Sequence, residues 1–372
     1  MKWTTDKLDL LKVYLSQGLS YREISQKSNW SYKSIEHAVG RYALRDSVMD
    51  TSIFKKEKNK LKKEDVNKLA SILGAYLYDN YKNVKLIEPK PRKCVGKKEE
   101  ISILDISDTH AGMINKVFDS DAGKKVVTYN MDIFKKELNE LLDSIINIHG
   151  LLQNSYKLKK LVIHFLGDLI TNDRIFPEQS FEIEKVVGLQ IWDVINYFSK
   201  FFIQLLNIYE EIEIVGVVGN HGRSLPNSYS EPVENNFEYF IYKMWEKQFA
   251  DSKRIKVIVP STRRYVHTIY NWKHLLEHGD LMRGSSDSYI ERQIKELSLN
   301  MGGFDVMHYG HFHKLKEREI ADKVIVKQNG SWIPKDEYGF SKFKQYSVPK
   351  QFFFGCNPKR PETWGYKIDL RG

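Results

Sequence analysis

Apolar residues follow two different spacings along this chain. Up to about residue 46 they recur every three or four positions, which is the spacing of a helix face. From residue 101 onward, short β-branched runs alternate with longer amphipathic stretches, a pattern typical of a layered α/β sheet. The pattern therefore predicts a small all-α segment followed by an α/β body.

The amino-terminal segment is predicted to form three short helices between residues 5 and 46. Short helices joined by tight polar turns favour a helix-turn-helix module, in which one helix enters the major groove of DNA. The third helix begins near Ser31, and basic residues on or beside it are candidate DNA contacts: Lys33, Arg41 and Arg45. A three-helix bundle with a basic face can also bind protein, so both interpretations stay open.

The body is predicted to contain seven strands and four helices. The strand-like runs cover residues 101–107, 160–166, 212–218, 254–259, 264–278 (two strands) and 304–309. The helical stretches fill about 130–149, 180–208, 231–249 and 285–299. This alternation places the chain in the α/β class.

A lysine-rich segment connects the two parts. Lysine dominates residues 50–63, a helix is predicted from Glu64 to about Tyr81, and Pro89 and Pro91 mark a linker. The predicted domains are the helix-turn-helix module over 1–48, the Lys-rich helix and linker over 49–100, and the body with its aromatic-rich tail over 101–372.

The positive charge of the chain is concentrated near its amino terminus. The 372 residues include 58 Lys and Arg and 48 Asp and Glu, a formal charge of +10. Residues 1–100 hold 22 of the basic and 13 of the acidic residues, whereas residues 101–372 hold 36 and 35. A basic segment on a nearly neutral body predicts a polyanion-binding part, although a solvated Lys-rich linker has the same composition.

Composition excludes several classes of protein. With 41% hydrophobic residues the chain has enough apolar material for a core, which excludes disorder of its bulk. The two cysteines, Cys94 and Cys356, are too few for a disulfide framework or a cysteine-based zinc module. No signal-peptide-like start and no apolar run of about 18 residues is found, so we expect a cytoplasmic protein that does not cross a membrane.

Potential metal ligands stand at the ends of five strand-like runs. The clusters are Asp108-Thr109-His110, Gly167-Asp168-Leu169, Gly219-Asn220-His221, His278-Gly279-Asp280 and Gly310-His311-Phe312-His313. Ligands of open α/β sheets gather at the carboxyl ends of strands, so the five clusters are expected to converge. Each cluster alone is typical of an ordinary loop, helix cap or turn. If none of them had a chemical role, all five would have to arise independently by chance.

The donor atoms in these clusters suit divalent metals. Carboxylate and amide oxygens and imidazole nitrogens bind Mn²⁺, Zn²⁺ or Fe²⁺. Seven candidate ligands are too many for one ion, but they fill two sites if one carboxylate bridges them. Two ions about 3.5–4 Å apart form a clamp for in-line displacement at phosphorus.

The ordered set Asp-x-His, Gly-Asp, Gly-Asn-His, His and Gly-His-x-His resembles the calcineurin-like metallophosphoesterase superfamily over about residues 101–330. The resemblance implies a layered β-sandwich flanked by helices, with phosphoesterase activity. It implies two divalent metal ions, Mn²⁺ first, with Zn²⁺, Fe²⁺ or Mg²⁺ as alternatives. The basic amino-terminal module makes the double-strand-break repair nucleases the nearest functional analogy, and phage-encoded repair exonuclease-like proteins look similar.

The resemblance also implies a role for each motif residue. The ligands of the first metal would be Asp108, His110 and His313. Those of the second would be Asn220, His278 and His311, and Asp168 would bridge both ions. His221 matches a histidine that binds no metal and either protonates the leaving oxygen or stabilises the transition state.

One position departs from the family pattern. Members often have Asp or Glu directly after Gly-Asn-His, where this chain has Gly222 followed by Arg223. His221 would then need another carboxylate, and Arg223 becomes a candidate for binding a substrate phosphate. Asn172 and Asp173 are interpreted as an ordinary capped loop. Histidines outside the motifs are expected to be structural or on the surface: His37, His149, His164, His267, His274 and His308.

These observations predict a two-metal phosphodiesterase, specifically a nuclease that hydrolyses DNA bound by the amino-terminal module. Two alternatives stay open. One is a phosphatase or small-molecule phosphodiesterase with the same metal site, and the other is a non-catalytic DNA-binding regulator that uses the fold as a scaffold. The aromatic-rich tail, residues 335–372, is expected to pack on the sheet, line the substrate groove or form a homo-oligomer contact.

Overall fold

The computed structural model describes most of the chain in two compact units, Met1–Val66 and Asn67–Gly372. The described residues are 7–8, 10–11, 14, 21–41, 88–91, 96–119, 123–176, 179–226, 230–282, 287–320, 324–334 and 348–371. The division between the units falls inside the predicted Lys-rich segment. The helix predicted from Glu64 to Tyr81 and the DNA-contact candidate Arg45 lie outside the described residues.

The first unit contains helices α1 (Tyr21–Ser28) and α2 (Tyr32–Arg41). The Ser31 side-chain oxygen caps α2 by accepting the backbone N–H of Ser34 at 3.3 Å. The apolar faces meet in a small core of buried residues: Leu11, Ile24, Trp30, Ile35, Ala38 and Val39. The second and third predicted helices are therefore confirmed, and the helix-turn-helix assignment stays a prediction.

The described part of the second unit contains thirteen strands. They are β1 (Lys98–Ile106), β2 (Asn115–Asp119), β3 (Lys124–Tyr129), β4 (Tyr156–Phe165), β5 (Glu211–Gly216), β6 (Ile255–Ile258), β7 (Arg264–Ile269), β8 (Trp272–Glu277), β9 (Val306–Tyr309), β10 (Lys316–Ile320), β11 (Val324–Gln328), β12 (Lys350–Asn357) and β13 (Arg360–Asp369). All seven predicted strands are confirmed. Strands β2, β3, β10, β12 and β13 were not predicted from the sequence.

Four α-helices accompany these strands among the described residues. They are α3 (Met131–Leu152), α4 (Val187–Leu205), α5 (Phe237–Gln248) and α6 (Asp287–Asn300). All four were predicted, although α4 begins seven residues later than its apolar pattern suggests. None of the described helices combines the length and the apolar character that a membrane span requires.

The strands form two sheets and a hairpin. The first sheet has the order β13-β12-β1-β4-β5-β6. Its strands β1, β4, β5 and β6 run parallel. The second sheet has the order β10-β11-β9-β8-β7, with β8, β9 and β11 parallel and antiparallel strands at both edges. Strands β2 and β3 form a separate hairpin.

The two sheets pack face to face. Ile103 of β1 and Val162 of β4 share a buried cluster with Ile269 of β7. Leu276 of β8 packs with Val215 of β5 in a second cluster between the sheets. Because successive strand residues point to opposite faces, the neighbours of these residues face outward against helices. The central strands are therefore buried on both sides and read as nearly continuous apolar runs.

Helices cover the outer face of each sheet. Phe165 of β4 packs with Phe198 of α4 and Trp245 of α5 in the largest core, which also includes residues of α3. Ile290 of α6 packs with Met307 of β9 on the second sheet. The resulting helix–sheet–sheet–helix layers confirm the predicted α/β sandwich flanked by helices.

The described part of the aromatic tail packs into the first sheet. Phe352 and Phe354 of β12 lie between the sheets, whereas Phe353 points into the helix-covered core. All three side chains are buried. This confirms the packing expected for residues 348–371, and residues 335–347 lie outside the described part of the chain.

Candidate metal centre

The five predicted ligand clusters lie at one end of the sandwich. Parallel strands β1, β4 and β5 end shortly before Asp108, Asp168 and Asn220. Parallel strands β8 and β9 of the other sheet end shortly before His278 and His311. Since the sheets face each other, their strand ends bring all five clusters together, as the topology predicts.

One group of ligand atoms belongs to Asp108, His110 and His313, which lie within 4.8 Å of one another. The two imidazoles point Nε2 at each other at a distance of 3.1 Å. Nε2 of His313 also lies 3.5 Å from Oδ1 of Asp108. Lone-pair donors from three residues therefore converge on one point, which is the arrangement of the first predicted metal site.

A second group belongs to Asp168, His278 and His311, again within 4.8 Å. Nε2 of His278 lies 3.0 Å from Oδ2 of Asp168 and 2.9 Å from Oδ1 of Asn220. Nδ1 of His278 lies 2.7 Å from the carbonyl oxygen of Leu166, to which it donates its proton. In a neutral ring Nε2 then carries a lone pair. Three lone-pair atoms therefore meet here, one nitrogen and two oxygens, and a divalent cation would satisfy all three.

Asp168 lies between the two groups. It shares one group with His278 and His311 and another with His110 and His221. Its Oδ1 accepts the backbone N–H of His221 at 2.8 Å, which holds the carboxylate in place. The placement agrees with the bridging role that the family resemblance implies.

The ligand residues adopt a backbone conformation that L-residues rarely use. Five of the seven predicted ligands have positive φ angles: Asp108 (52°), His110 (44°), Asp168 (55°), His311 (68°) and His313 (56°). Such conformations cost of order 1 kcal/mol or more each and persist where the surrounding structure enforces them. They turn the chain sharply after each strand and aim the side chains inward.

Two glycines allow the strand ends to approach closely. A Cβ atom on Gly310 would lie 2.3 Å from Oδ2 of Asp108. A Cβ atom on Gly219 would lie 2.1 Å from Oδ1 of Asp168. Both distances are far below van der Waals contact, so the motif glycines are required by the carboxylates beside them.

Burial and neighbouring charges shift the pKa values of the ligands. Burial opposes protonation of His278, but the Asp168 carboxylate outweighs it and raises the pKa of His278 well above its usual value. Burial lowers the pKa of His110 well below its usual range, helped by neighbouring His221 and His313. It also lowers the pKa of His311 to about 3. Burial raises the pKa of Asp108 above its usual value. The imidazoles of His110 and His311 are therefore neutral at neutral pH, which is the form that binds a metal, and the residues fit a pair of divalent cations.

His221 lies at the rim of this centre. Its Nδ1 lies 2.8 Å from the carbonyl oxygen of Thr171, which accepts its proton, and Nε2 lies 4.0 Å from Oδ2 of Asp168. The side chain is 20% exposed, more than the side chain of Asp168 or His278. The partner expected to be a carboxylate is thus a backbone carbonyl, and the non-ligand role of His221 stays a prediction.

The structure explains why Gly222 replaces an acidic residue. A Cβ atom at this position would lie 2.1 Å from Oδ1 of Asn236 and 2.8 Å from Cγ of Glu238. Glu238 is fully buried and accepts the backbone N–H groups of Leu169 and Gly219, both at 2.6 Å. The Glu238 carboxylate from α5 therefore joins the loop that follows β4 to the loop that follows β5. Its side chain and that of Asn236 leave no room for a side chain at residue 222.

Arg223 is 3% exposed and forms an ion pair with Asp280. Arg223 lies just after the Gly219-Asn220-His221 motif and Asp280 is the last residue of the His278-Gly279-Asp280 motif, so the pair connects the loop after β5 to the loop after β8. The predicted binding of a substrate phosphate by Arg223 is not tested by this contact. Of the candidate DNA contacts, Lys33 is exposed on α2 and Arg41 is the last residue of that helix.

Several residues that support the centre were not recognised from the sequence. Asn172, interpreted as part of a capped loop, is buried with a φ angle of 70° and donates to the carbonyl oxygens of His221 (2.7 Å) and Arg223 (2.9 Å). Gln179 places Nε2 3.2 Å from Nδ1 of His221. Asn329 donates to the Asp105 carbonyl and to Gln351, joining the loop after β11 to the strands beneath Asp108.

These supporting residues carry a weak signal. Asn and Gln occur in many loops, and only a positive φ angle or a long-range partner distinguishes a supporting amide from a surface one. The polar Asn329-Gly330-Ser331 run follows directly after β11. Its Ser331 hydroxyl donates to the Asp108 carbonyl at 3.1 Å, which gives the loop a positioning role.

No family model matches the chain, and no curated protein sequence matches it either. Vps29 from Entamoeba histolytica, crystallised with Zn²⁺, is 13% identical with a TM-score of 0.31, and the match covers 72% of this chain and 99% of that one. A predicted phosphoesterase from Streptococcus pneumoniae TIGR4 is 11% identical with a TM-score of 0.30, covering 72% and 98%. A hypothetical protein from Pyrococcus horikoshii OT3 is 12% identical with a TM-score of 0.33, covering 72% and 88%. At these TM-scores the structural likeness supports no argument about this chain. The candidate metal centre is identified from the geometry of its residues alone.

Proposed function

We propose that this chain is a two-metal phosphodiesterase of the calcineurin-like superfamily and that its substrate is DNA. The observation that carries the proposal is the pair of adjacent donor groups, Asp108/His110/His313 and Asp168/His278/His311, together with the further proximity of Asp168 to His110 of the first group. The seven ligands are divided as the family resemblance implies: Asp108, His110 and His313 for one ion, Asn220, His278 and His311 for the other, and Asp168 for both.

Two divalent cations bound there would neutralise charge on a phosphate and lower the pKa of a water molecule toward neutrality. Mn²⁺ is the first candidate, and Zn²⁺, Fe²⁺ and Mg²⁺ are alternatives that would use the same ligands. The donor set combines nitrogen and oxygen atoms, which suits borderline metals better than Mg²⁺.

His221 is the proposed proton donor to the leaving oxygen. Thr171 fixes its Nδ1 proton, so Nε2 is the atom that gains and loses a proton at the rim of the site. His221 also lies beside the Asp168 carboxylate, with Nε2 4.0 Å from Oδ2, so Nε2 faces the proposed two-metal centre. Arg223, held by Asp280, would then orient the loop that carries His221 or share its guanidinium with a phosphate oxygen.

Two features support a nucleic acid as the substrate. The first hundred residues carry nearly all the excess positive charge of the chain, and Lys33 is exposed on α2. In the body, the ring of Phe176 lies 5.0 Å from the His221 ring and is 43% exposed. An exposed aromatic ring next to the reacting group offers a stacking surface for a nucleobase.

The decisive experiment tests the full chain on plasmid DNA, linear duplex DNA, bis-p-nitrophenyl phosphate and the monoester p-nitrophenyl phosphate, with Mn²⁺, Zn²⁺, Mg²⁺ or a chelator, and measures the bound metal. We expect metal-dependent cleavage of the three diesters and its loss in Asp168→Ala. The exposed carboxylate variant Asp251→Asn is the matched control and should retain full activity.

Three outcomes contradict the proposal in different ways. Hydrolysis of the small diester without DNA cleavage under any metal would indicate a small-molecule phosphodiesterase. Hydrolysis of phosphomonoesters alone would indicate a phosphatase. Absence of both bound metal and activity would indicate a regulator that uses the fold as a scaffold.

A further inference from the structure

A second cluster of histidines and carboxylates lies inside the body, between the two sheets. Asp105 of β1, His164 of β4 and His308 of β9 are each 0% exposed. Their ligand atoms lie within 4.8 Å of one another, and they belong to neither group of the metal centre described above. Both histidines were expected to have a structural or surface role.

Both imidazoles point the same ring nitrogen at one carboxylate. Nδ1 of His164 lies 3.2 Å from Oδ1 of Asp105, and Nδ1 of His308 lies 2.8 Å from Oδ2. Two ligands each about 2 Å from a tetrahedral Zn²⁺ lie about 3.3 Å apart, so these separations are close to those of ligands that share an ion. On the far side of its ring, His308 contacts Nδ1 of His274 at 3.0 Å through Nε2.

The opposite nitrogen of His164 leads outward to a charged group. Its Nε2 lies 3.1 Å from Nδ1 of His267, and Nε2 of His267 lies 2.8 Å from Oε1 of Glu213. Glu213 is kept ionised by Lys160 at 3.4 Å and Lys256 at 3.1 Å. Metal-bound histidines commonly donate their second ring N–H to such an outer partner, which fixes the tautomer.

The contacts from Asp105 to Glu213 need more protons than neutral rings supply. Two imidazoles, His164 and His267, stand between two carboxylates and make three contacts in a row. Each contact needs one hydrogen, but two neutral imidazoles carry only two. Without a further cation the row therefore needs a third proton in the interior, on an imidazole ring or on a carboxyl group.

A metal at the inner end removes this shortage. With a divalent cation on Nδ1 of His164 and on Asp105, His164 donates from Nε2 to His267, and His267 donates from Nε2 to Glu213. His308 likewise binds the cation through Nδ1 and donates from Nε2 to His274. Every ring in the row is then neutral, and each contact has one hydrogen or one metal bond.

We propose that Asp105, His164 and His308 form a third divalent-cation site, which is structural and separate from the two-metal centre. Two imidazoles and a carboxylate in a closed environment are a ligand set for Zn²⁺. The site joins β1 and β4 of the first sheet to β9 of the second. Because these strands carry Asp108, Asp168 and His311 at their ends, the ion would hold together the strands that position the two-metal centre.

The test counts metal ions in the full chain after loading with Zn²⁺ and desalting, by inductively coupled plasma mass spectrometry. The double variant Asp108→Ala/Asp168→Ala removes ligands of the two-metal centre and leaves the buried cluster intact. We expect about three ions per chain in the unchanged protein and about one in the double variant. Complete loss of zinc from a folded double variant, checked by circular dichroism, would overturn the proposal.

A second measurement probes the cluster itself. His308→Gln should lower the count in the otherwise unchanged chain by one ion, whereas His37→Gln, at an exposed histidine on α2, should leave it unchanged. In the Co²⁺-loaded double variant, visible absorption of a nitrogen-ligated ion is expected and should disappear on adding His308→Gln. An equal count in the unchanged chain and in His308→Gln, or an imidazolium signal from His267 in zinc-saturated protein by ¹⁵N NMR, would contradict the site. This count does not depend on DNA cleavage, so it stands or falls separately from the proposed function.

Discussion

At the scale of single residues, the metal centre depends on backbone conformations as much as on side chains. Asp108, Asp168 and His311 could not aim their donor atoms inward from ordinary extended backbone. The chain accepts these conformations because amides and carboxylates from distant elements, such as Asn172 and Glu238, hold the loops. Strain at the ligands is thus offset by hydrogen bonds that a motif search does not detect.

The substitution His221→Ala separates a proton donor from a metal ligand. We expect DNA cleavage to fall by about 10²–10⁴-fold, the usual contribution of general acid–base catalysis, with the metal content unchanged. The measurement combines kcat with metal analysis on the same preparation. Loss of one metal ion in His221→Ala would show that His221 is a ligand.

Phe176→Leu, which alters the neighbouring ring, should reduce DNA binding more than kcat.

The absence of a side chain at Gly222 is a second test at this scale. Gly222→Ala places a methyl group against Asn236 and Glu238, so we expect destabilisation by about 1–3 kcal/mol, the usual cost of overpacking. The control is Gly150→Ala in α3, where a methyl group meets nothing within 4 Å and helix propensity favours alanine. Urea unfolding of both variants measures the difference, and equal stabilities would contradict the steric explanation.

At the scale of elements, strands and helices could be predicted from the sequence wherever the spacing of hydrophobic residues matched the pattern of burial. Central strands such as β1 and β4 are buried on both faces and so carry long β-branched runs that are easy to recognise. The edge strand β10 and the hairpin strand β3 alternate exposed and half-buried positions, and their charged residues obscured the pattern. β12 and β13 were treated as a tail because their aromatic residues did not indicate which sheet they join.

The same limit applies to the candidate site. Five motifs predicted which residues meet, because strand ends in an α/β sheet share an edge. The supporting contacts join residues far apart in the chain, as when Asn329 binds near Asp105, and no local pattern encodes such a partner. The buried histidine cluster was missed for a related reason, since His164 and His308 occur singly within apolar strands and resemble ordinary core residues.

The contact between α3 and the end of β13 predicts a pH dependence of stability. Glu137 is 1% exposed and binds the guanidinium of Arg371. Burial raises the pKa of Glu137 to about 7 despite the opposing effect of Arg371. The folded state therefore holds this proton more tightly than the unfolded state, and the stabilisation is present below pH 4.5 and lost as pH rises through 7.

Glu137→Gln should flatten this dependence. Between pH 5 and pH 8 we expect the unchanged chain to lose of order 1–3 kcal/mol from this group, and the variant to lose less by that amount. Asp143→Asn, an exposed carboxylate on the same helix, is the control and should leave the slope unchanged. Thermal unfolding at several pH values measures the slopes, and identical slopes for the unchanged chain and Glu137→Gln would refute the assignment.

At the scale of the whole molecule, charge and chemistry are divided between parts of the chain. The excess positive charge lies in residues 1–100, and the body is nearly neutral by residue count. Two divalent ions would add about four positive charges at the body's phosphate site. Under the proposed function, a neutral body would still attract a phosphodiester at the metal centre, and the basic region would supply affinity for the length of the polyanion.

This division predicts that removing residues 1–87 separates binding from hydrolysis. The deletion should stop at 87 because Glu88 and Pro89 contact the body through Ser252 and Arg254. Hydrolysis of bis-p-nitrophenyl phosphate should be unchanged within about twofold, whereas DNA affinity should fall by at least about tenfold, since phosphate contacts by Lys and Arg dominate non-specific affinity. Unchanged DNA affinity in the truncated chain would show that the body alone binds DNA.

Salt dependence gives the sharpest form of the same prediction in the full chain. Each phosphate contact releases counterions, so the logarithm of the association constant should fall steeply with the logarithm of salt concentration for the full chain and only weakly after the deletion. Lys33→Glu should reduce that slope by about one unit if α2 lies along the phosphate backbone. Lys124→Glu on the exposed hairpin strand β3 of the second unit makes the same charge change in a different element and should leave the slope unchanged. Equal reductions in both variants would mean that the affinity follows net charge alone, and that α2 has no particular place in the complex.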